Sequence, residues 1–230
     1  DELADQVAAS GIRGISGRVI GDERRYDAVR TVPGWPDRYV TQQQAGPLGA
    51  LAVDEGYELA PPREPEGPIR RVPAPDPAAS AARTFTSLLR ARGVLVAGEG
   101  ASGTAPEGAA TVATVTSPPL ADLVDQMVES SDNRIAEQLT KELGHHAGGG
   151  GSTSAGVAVI AEQADRLGLT VPGTRVVDGS GLHPDNRATC DGLANLLHHG
   201  GGVEGLLGPA LPVAGETGTL EHRFQGNPAE

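Results

Sequence analysis

Ser131-Asp132-Asn133-Arg134-Ile135-Ala136-Glu137 stands where two helical runs meet. Upstream, Leu120 to Glu129 follows Pro118-Pro119 with helical composition, and downstream Asp132 to Leu143 sets Ile135, Leu139 and Leu143 at helical spacing. Ser and Asp favour helix N-termini because their side-chain oxygens take up an amide that has no partner in the first turn. The spacing therefore predicts Ser131 as the cap of the second helix. Further out, Ser154 to Leu167 and Thr189 to His199 read as two more helices, with Gly148 to Gly151 as a connector and Ser152 or Thr153 as a cap. The second half is expected to be mainly helical.

The first half has a different character. Glu2 to Ser10 is a helix stopped by Gly11, and Ile15 to Ile20, Ala50 to Val53, Val94 to Ala97 and Ala110 to Val115 read as short strands. Ala78 to Arg92 is a helix with the apolar stripe Ala82, Phe85, Leu88 and Leu89. Pro33-Gly34-Trp35-Pro36 is turn chemistry, and the seven prolines between Ala60 and Pro77 exclude a helix and a central strand there, leaving an exposed connector. The expected division is an α/β part over 1–112 and a mainly helical part over 113–230.

With 30 acidic against 18 basic residues the chain carries a formal charge of −12, which repels a phosphate backbone, so nucleic acid is not an expected partner. The lone Cys190 excludes an internal disulfide and a Cys-based zinc cluster. No apolar run is long enough for a membrane span, and no signal peptide is visible. Seventeen of the basic residues are Arg and only Lys141 is Lys, so chemistry that needs two lysines is incomplete within this chain.

Three local patterns have bland readings. Gly98-Glu99-Gly100-Ala101-Ser102-Gly103 fits the dinucleotide pattern, but Pro106 and Gly108 break the helix that should receive the phosphate, which favours a plain glycine-rich loop. His145-His146 and His198-His199 fall at helix C-termini, where imidazole suits the dipole, and adjacent helical side chains diverge too far to share a metal. No cofactor and no metal are expected. Asp178-Gly179-Ser180-Gly181-Leu182-His183 places Asp, Ser and His within six residues, yet a triad needs side chains from separate elements, so a tight turn is the local reading.

Taken together, Ser131-Asp132-Asn133-Arg134-Ile135-Ala136-Glu137, Val177-Asp178-Gly179-Ser180-Gly181-Leu182 and Leu211-Pro212-Val213-Ala214-Gly215-x-Thr217-Gly218-Thr219-Leu220-x-x-Arg223-Phe224 stand in the order seen in DacB-like serine D-Ala-D-Ala carboxypeptidases. These are the class C low-molecular-mass penicillin-binding proteins. Gly11-Ile12, Ile15-x-Gly17-Arg18-Val19-Ile20-Gly21-Asp22, Pro33-Gly34-Trp35 and Leu51-Ala52-Val53-Asp54-Glu55 also resemble the domains this family inserts between its Ser-x-x-Lys helix and its Ser-x-Asn box. The chain departs from the family in having His183-Pro184 where Ser-Arg is usual. It also lacks a Ser-x-x-Lys, since Gln138 stands three positions before Lys141, and a Lys-Thr-Gly, since Glu216-Thr217-Gly218-Thr219 corresponds to the segment before that box.

The resemblance implies a middle fragment of an α+β, multidomain penicillin-binding, β-lactamase-like fold with inserted α/β modules. It implies catalytic roles for Ser131 and Asn133, a substrate-binding rim at Ser180, Gly181 and Leu182, and peptidoglycan stem peptides and β-lactams as partners at the cell envelope. Two rival readings differ in class. One is a non-catalytic pseudoenzyme holding cell-wall peptide or a protein partner; the other is a nucleotide-binding enzyme using the Gly98 loop.

Overall fold

The computed structural model describes residues 1–64, 67–205 and 207–223. Its chain divides into two compact units: Asp1–Thr31 with Pro36–Ser117, and Val32–Trp35 with the chain from Pro118 onward. The division falls at Ser117, a little beyond the expected position near residue 113, and four residues from within the first half group with the second.

The first unit runs α1 (Glu2–Ala9), β1 (Gly14–Ile15), β2 (Ile20–Gly21), the single turn α2 (Arg38–Thr41), β3 (Tyr57–Ala60), β4 (Arg70–Pro73), α3 (Pro77–Ala91), β5 (Leu95–Val96) and β6 (Ala101–Ser102). β1 pairs with β5 and β2 with β6 in parallel, while β3 and β4 are antiparallel with Tyr57 opposite Pro73. α3 starts where Pro77 needs no partner for a missing N–H and the Asp76 carboxylate accepts the Ala79 amide at 2.8 Å. Its Leu89 joins Ala4, Val94 and Val96 in a buried cluster, flanked by Val7, Ile15, Phe85 and Leu88. Apolar burial of this kind is the main favourable term holding such a unit together.

Three strand expectations change. Ile15 to Ile20 is not one strand, because the chain bends at Ser16 and Gly17 and transfers its pairing from β5 to β6. Ala50 to Val53 forms no strand, and Ala110 to Val115 runs exposed without a ladder, with Val112 51% exposed. Thr and Val favour strands where a neighbour covers one face, which the exposed Ala110 to Val115 lacks, whereas the half-buried Ala50 to Val53 forms no ladder with another strand. Part of the proline-rich stretch becomes β4, where Pro73 sits at the end of an edge ladder that tolerates it. The Gly98–Gly103 loop leads from β5 into β6 with no helix opening in it, and a side chain at Gly100 would collide with the backbone of Ala82 and Arg83 on α3. Glycine there serves helix packing.

The second unit contains α4 (Leu120–Ser130), α5 (Asn133–His146), α6 (Thr153–Arg166) and α7 (Cys190–His199). Side-chain caps set the starts of α6 and α7: Ser152 Oγ accepts the Ala155 amide at 3.1 Å and Thr189 Oγ1 the Gly192 amide at 3.0 Å. Asp132, not Ser131, caps α5, its Oδ1 accepting the Ile135 amide at 2.9 Å. Ser131 instead closes α4 in the left-handed conformation, φ 54° and ψ 45°. The Asp132 amide then reaches back to the Met127 carbonyl at 3.0 Å, as in helix ends that turn sharply.

α5 and α6 approach closely because small residues line the seam. A Cβ on Gly156 would collide with the Thr140 carbonyl, and one on Gly144 would lie 2.8 Å from the Gly156 nitrogen. The segment around Gly218 seats on the end of α4 in the same way, its Cα facing the Glu129 carbonyl. Gly156→Ala is therefore expected to destabilise the α5–α6 pair by about 1–3 kcal/mol through overpacking. Gly200→Ala, whose Cβ finds its nearest neighbour at 3.4 Å, should stay within about 0.5 kcal/mol of the parent. Urea unfolding followed by far-UV circular dichroism distinguishes them.

Candidate functional site

Asp178 is 2% exposed and its carboxylate gathers four hydrogen bonds. Oδ1 accepts the Gly181 amide at 2.9 Å and Asn186 Nδ2 at 2.7 Å. Oδ2 accepts the His183 amide at 2.7 Å and Trp35 Nε1 at 2.8 Å. A buried carboxylate is tolerated when its lone pairs are met in this way. The result is that Gly179 to Asn186 wraps around one side chain, and Gly181 takes the positive φ (78°) that closing the turn requires.

The same turn is fastened to α5. Glu137, fully buried, accepts the Ser180 amide on Oε1 at 2.8 Å. Gly179 lies so close to α5 that a Cβ would collide with the Thr140 hydroxyl, which itself donates to the Ala136 carbonyl at 2.8 Å. Glu137 Oε2 meets no hydrogen-bond partner among the described residues. Burial pushes the Glu137 carboxyl above its ordinary range, and the nearby Asp178 charge adds to the rise against the opposing hydrogen bonds from Ser180.

Asn133 opens α5 one helical turn before Glu137 and is half-buried. Ser131, two residues earlier, is exposed in its left-handed junction. A serine in that conformation costs on the order of 1–2 kcal/mol relative to the right-handed region. α5 thus carries Asn133 at its first position and, through Glu137, the turn that holds Ser180, Gly181 and Leu182. Leu182 N–H lies 3.4 Å from Ser180 Oγ, Ser180 and Leu182 are half-buried, and Gly181 is exposed. The sole lysine, Lys141, is fully buried further along α5. An apolar groove of about 410 Å³ between α4 and α5 is lined by Leu120, Val124, Leu139, Leu143 and two polar neighbours, and includes neither Ser131 nor Asn133.

Sequence reasoning singled out Ser131, Asn133 and Ser180–Leu182 but not what ties the turn in place. Glu137 was part of the quoted motif, and its spacing of four from Asn133 puts both on neighbouring turns of one helix. Trp35, the only tryptophan, gave no local signal for a bond to a residue 143 positions away.

Residues 58–230 match the profile of the D-Ala-D-Ala carboxypeptidase 3 (S13) family. The chain belongs to that family. Carboxypeptidase DacB of Mycolicibacterium smegmatis is 30% identical over 227 residues, an overlap of 97% of this S13 chain and 47% of that protein. The D-alanyl-D-alanine carboxypeptidase of Actinomadura sp. is 28% identical, over 100% of this chain and 56% of its own. The chain therefore spans about half the length of the curated relatives it matches. Penicillin binding protein 4 (dacB) from Haemophilus influenzae superposes with a TM-score of 0.76 at 20% identity, covering 96% of this chain and 62% of that one. A second structure of it holds a β-lactam. The likeness establishes the α+β penicillin-binding fold for this S13 chain.

Because burial raises the pKa of Glu137, its contribution to stability depends on pH. The folded state prefers the neutral carboxyl, so this group's stabilising contribution is full below the unfolded carboxylate value, about 4.3. It is lost as pH rises from there through the higher folded value. Glu137→Gln, which keeps an acceptor for the Ser180 amide, is expected to flatten that fall and to be the more stable form at pH 7. Thermal unfolding of both proteins between pH 4 and 8 checks it.

Proposed function

We propose that this chain is the part of a D-Ala-D-Ala carboxypeptidase or endopeptidase that supplies the Ser-x-Asn box and the facing substrate rim. The observation that carries the reading is the α4–α5 junction. There, an exposed Ser131 is held in an unfavourable backbone conformation, two residues before Asn133, on the helix that also anchors the Ser180–Leu182 turn. Strained non-glycine residues recur where function fixes a side chain. The 1–112 part is then read as inserted α/β modules, and the 113–230 part as belonging to the penicillin-binding domain.

In this mechanism a serine outside the chain, activated by its neighbouring lysine, attacks the penultimate D-Ala carbonyl of a peptidoglycan stem peptide. The C–N bond breaks, D-Ala leaves as the amine, and water later hydrolyses the acyl-enzyme. The Ser131 hydroxyl relays a proton toward the leaving nitrogen, and the Asn133 amide donates to the substrate's peptide carbonyl and holds the lysine. Ser180, Gly181 and Leu182 border the bound peptide. β-Lactams acylate the same serine by ring opening, which gives them as partners alongside the stem peptide. This reading puts the site of action at the cell envelope, on the extracytoplasmic side; among the described residues no helix is long and apolar enough to cross a membrane.

Ser131 cannot replace the missing nucleophile by recruiting Lys141. Lys141 lies eight residues beyond the first residue of α5, about 12 Å along the axis at ~1.5 Å per residue, and Ser131 stands before that start, whereas proton transfer needs about 3 Å or one bridging water. Incubated with a fluorescent penicillin, the 230-residue chain should show no covalent mass increase. The longer protein carrying Ser-x-x-Lys should acylate stoichiometrically, and Ser131→Ala should slow it about 100-fold or more. A stoichiometric adduct on the 230-residue chain that disappears in Ser131→Ala would overturn these roles.

A further inference from the structure

We propose that His183, standing where the family usually has Ser, is a positioning residue: its neutral Nε2–H tautomer clasps the Pro33–Gly34 turn and thereby fixes the turn bearing Ser180, Gly181 and Leu182. The inference deepens the reading above, since it concerns the turn assigned there as the substrate rim. The ring makes two hydrogen bonds of opposite sense. The Asp185 amide donates to Nδ1 at 3.1 Å, and an amide has no acceptor to offer, so Nδ1 carries no proton. Nε2 must then hold the proton, and it lies 3.0 Å from the Pro33 carbonyl, which can only accept.

The Val32–Trp35 segment is built to receive that bond. Trp35 N–H returns to the Val32 carbonyl at 3.0 Å across Pro33 and Gly34, and Gly34 has φ 97°. That is the Pro-Gly pairing a type II turn favours. A Cβ on Gly34 would collide with His183 Nε2, so the glycine also permits the approach. Two residues after Pro33, Trp35 Nε1 donates to Asp178 Oδ2, the same oxygen that accepts the His183 amide. Backbone and ring of His183, Asp178 and the Val32–Trp35 turn therefore close one hydrogen-bonded circuit.

Substitutions can separate the two ring bonds. Glutamine places an amide N–H near the position of Nε2 and can donate to Pro33, whereas asparagine reaches only as far as Nδ1.

The experiment uses the 230-residue chain and its single indole. Nitrogen-15 spectra of the histidine rings at neutral pH should show His183 as the Nε2–H tautomer. In His183→Ala the Trp35 indole proton should exchange with solvent at least tenfold faster, because the Pro33 turn is no longer held; His183→Gln should restore most of the protection and His183→Asn should not. An Nδ1–H tautomer, unchanged indole exchange in His183→Ala, or equal rescue by Asn and Gln overturns the proposal. If His183→Ala loses its far-UV signal, the Gln and Asn proteins decide the matter. None of these readouts uses penicillin or turnover. A failure of the acyl-transfer reading leaves the clasp standing, and a failure of the clasp leaves acyl transfer standing.

Discussion

The second unit depends on one buried carboxylate. Asp178 is almost fully enclosed, and moving a charge of that kind out of water is unfavourable unless donors replace the solvent. Its four donors come from three places: the backbone of its own turn, the Asn186 side chain, and the indole of Trp35. Removing any one leaves a lone pair facing protein instead of water, at about 1–3 kcal/mol for a buried polar group and more for a charged one. The turn is consequently defined by satisfying Asp178, and the positions of Ser180 and Leu182 follow from it.

A second constraint places that turn on α5. Glu137 and Gly179 act together, the first by accepting the Ser180 amide and the second by having no side chain where the Thr140 hydroxyl stands. α5 in turn is seated by the close approach of Gly144 and Gly156 to their neighbours across the α6 seam. Close-packed interiors transmit small displacements with little loss. A shift of α6 by the width of a methyl group therefore reaches Asn133 at one end of α5 and the Ser180 turn at its side.

Much of this was legible in the sequence, and the reason for each success or miss is local. The four helices of the second unit and α3 in the first were readable because apolar spacing and caps are short-range signals. The choice between Ser131 and Asp132 as the α5 cap was not, since both residue types bond the first turn equally well; the left-handed Ser131 decides it by ending α4 one residue later than expected. Ile15 to Ile20 has the composition of one strand, but its pairing is set by β5 and β6, about 80 residues away by the strand registers. Of the site, the motif residues were visible by resemblance. The Trp35–Asp178 bond was not, because no periodicity links residues 143 positions apart.

The membership of Val32–Trp35 has a practical meaning for dividing this protein. The second unit is not a continuous length of polypeptide, because it takes four residues from upstream of the first unit's β3–β4 hairpin. Expression starting at Pro118 yields all four helices but leaves Asp178 without the indole donor and His183 without the Pro33 carbonyl. The Trp35 and Pro33 bonds to the second unit do not run through the Ser117–Pro118 peptide, so the linear map hides them. The boundary that looks simplest on that map is therefore a poor place to truncate the gene.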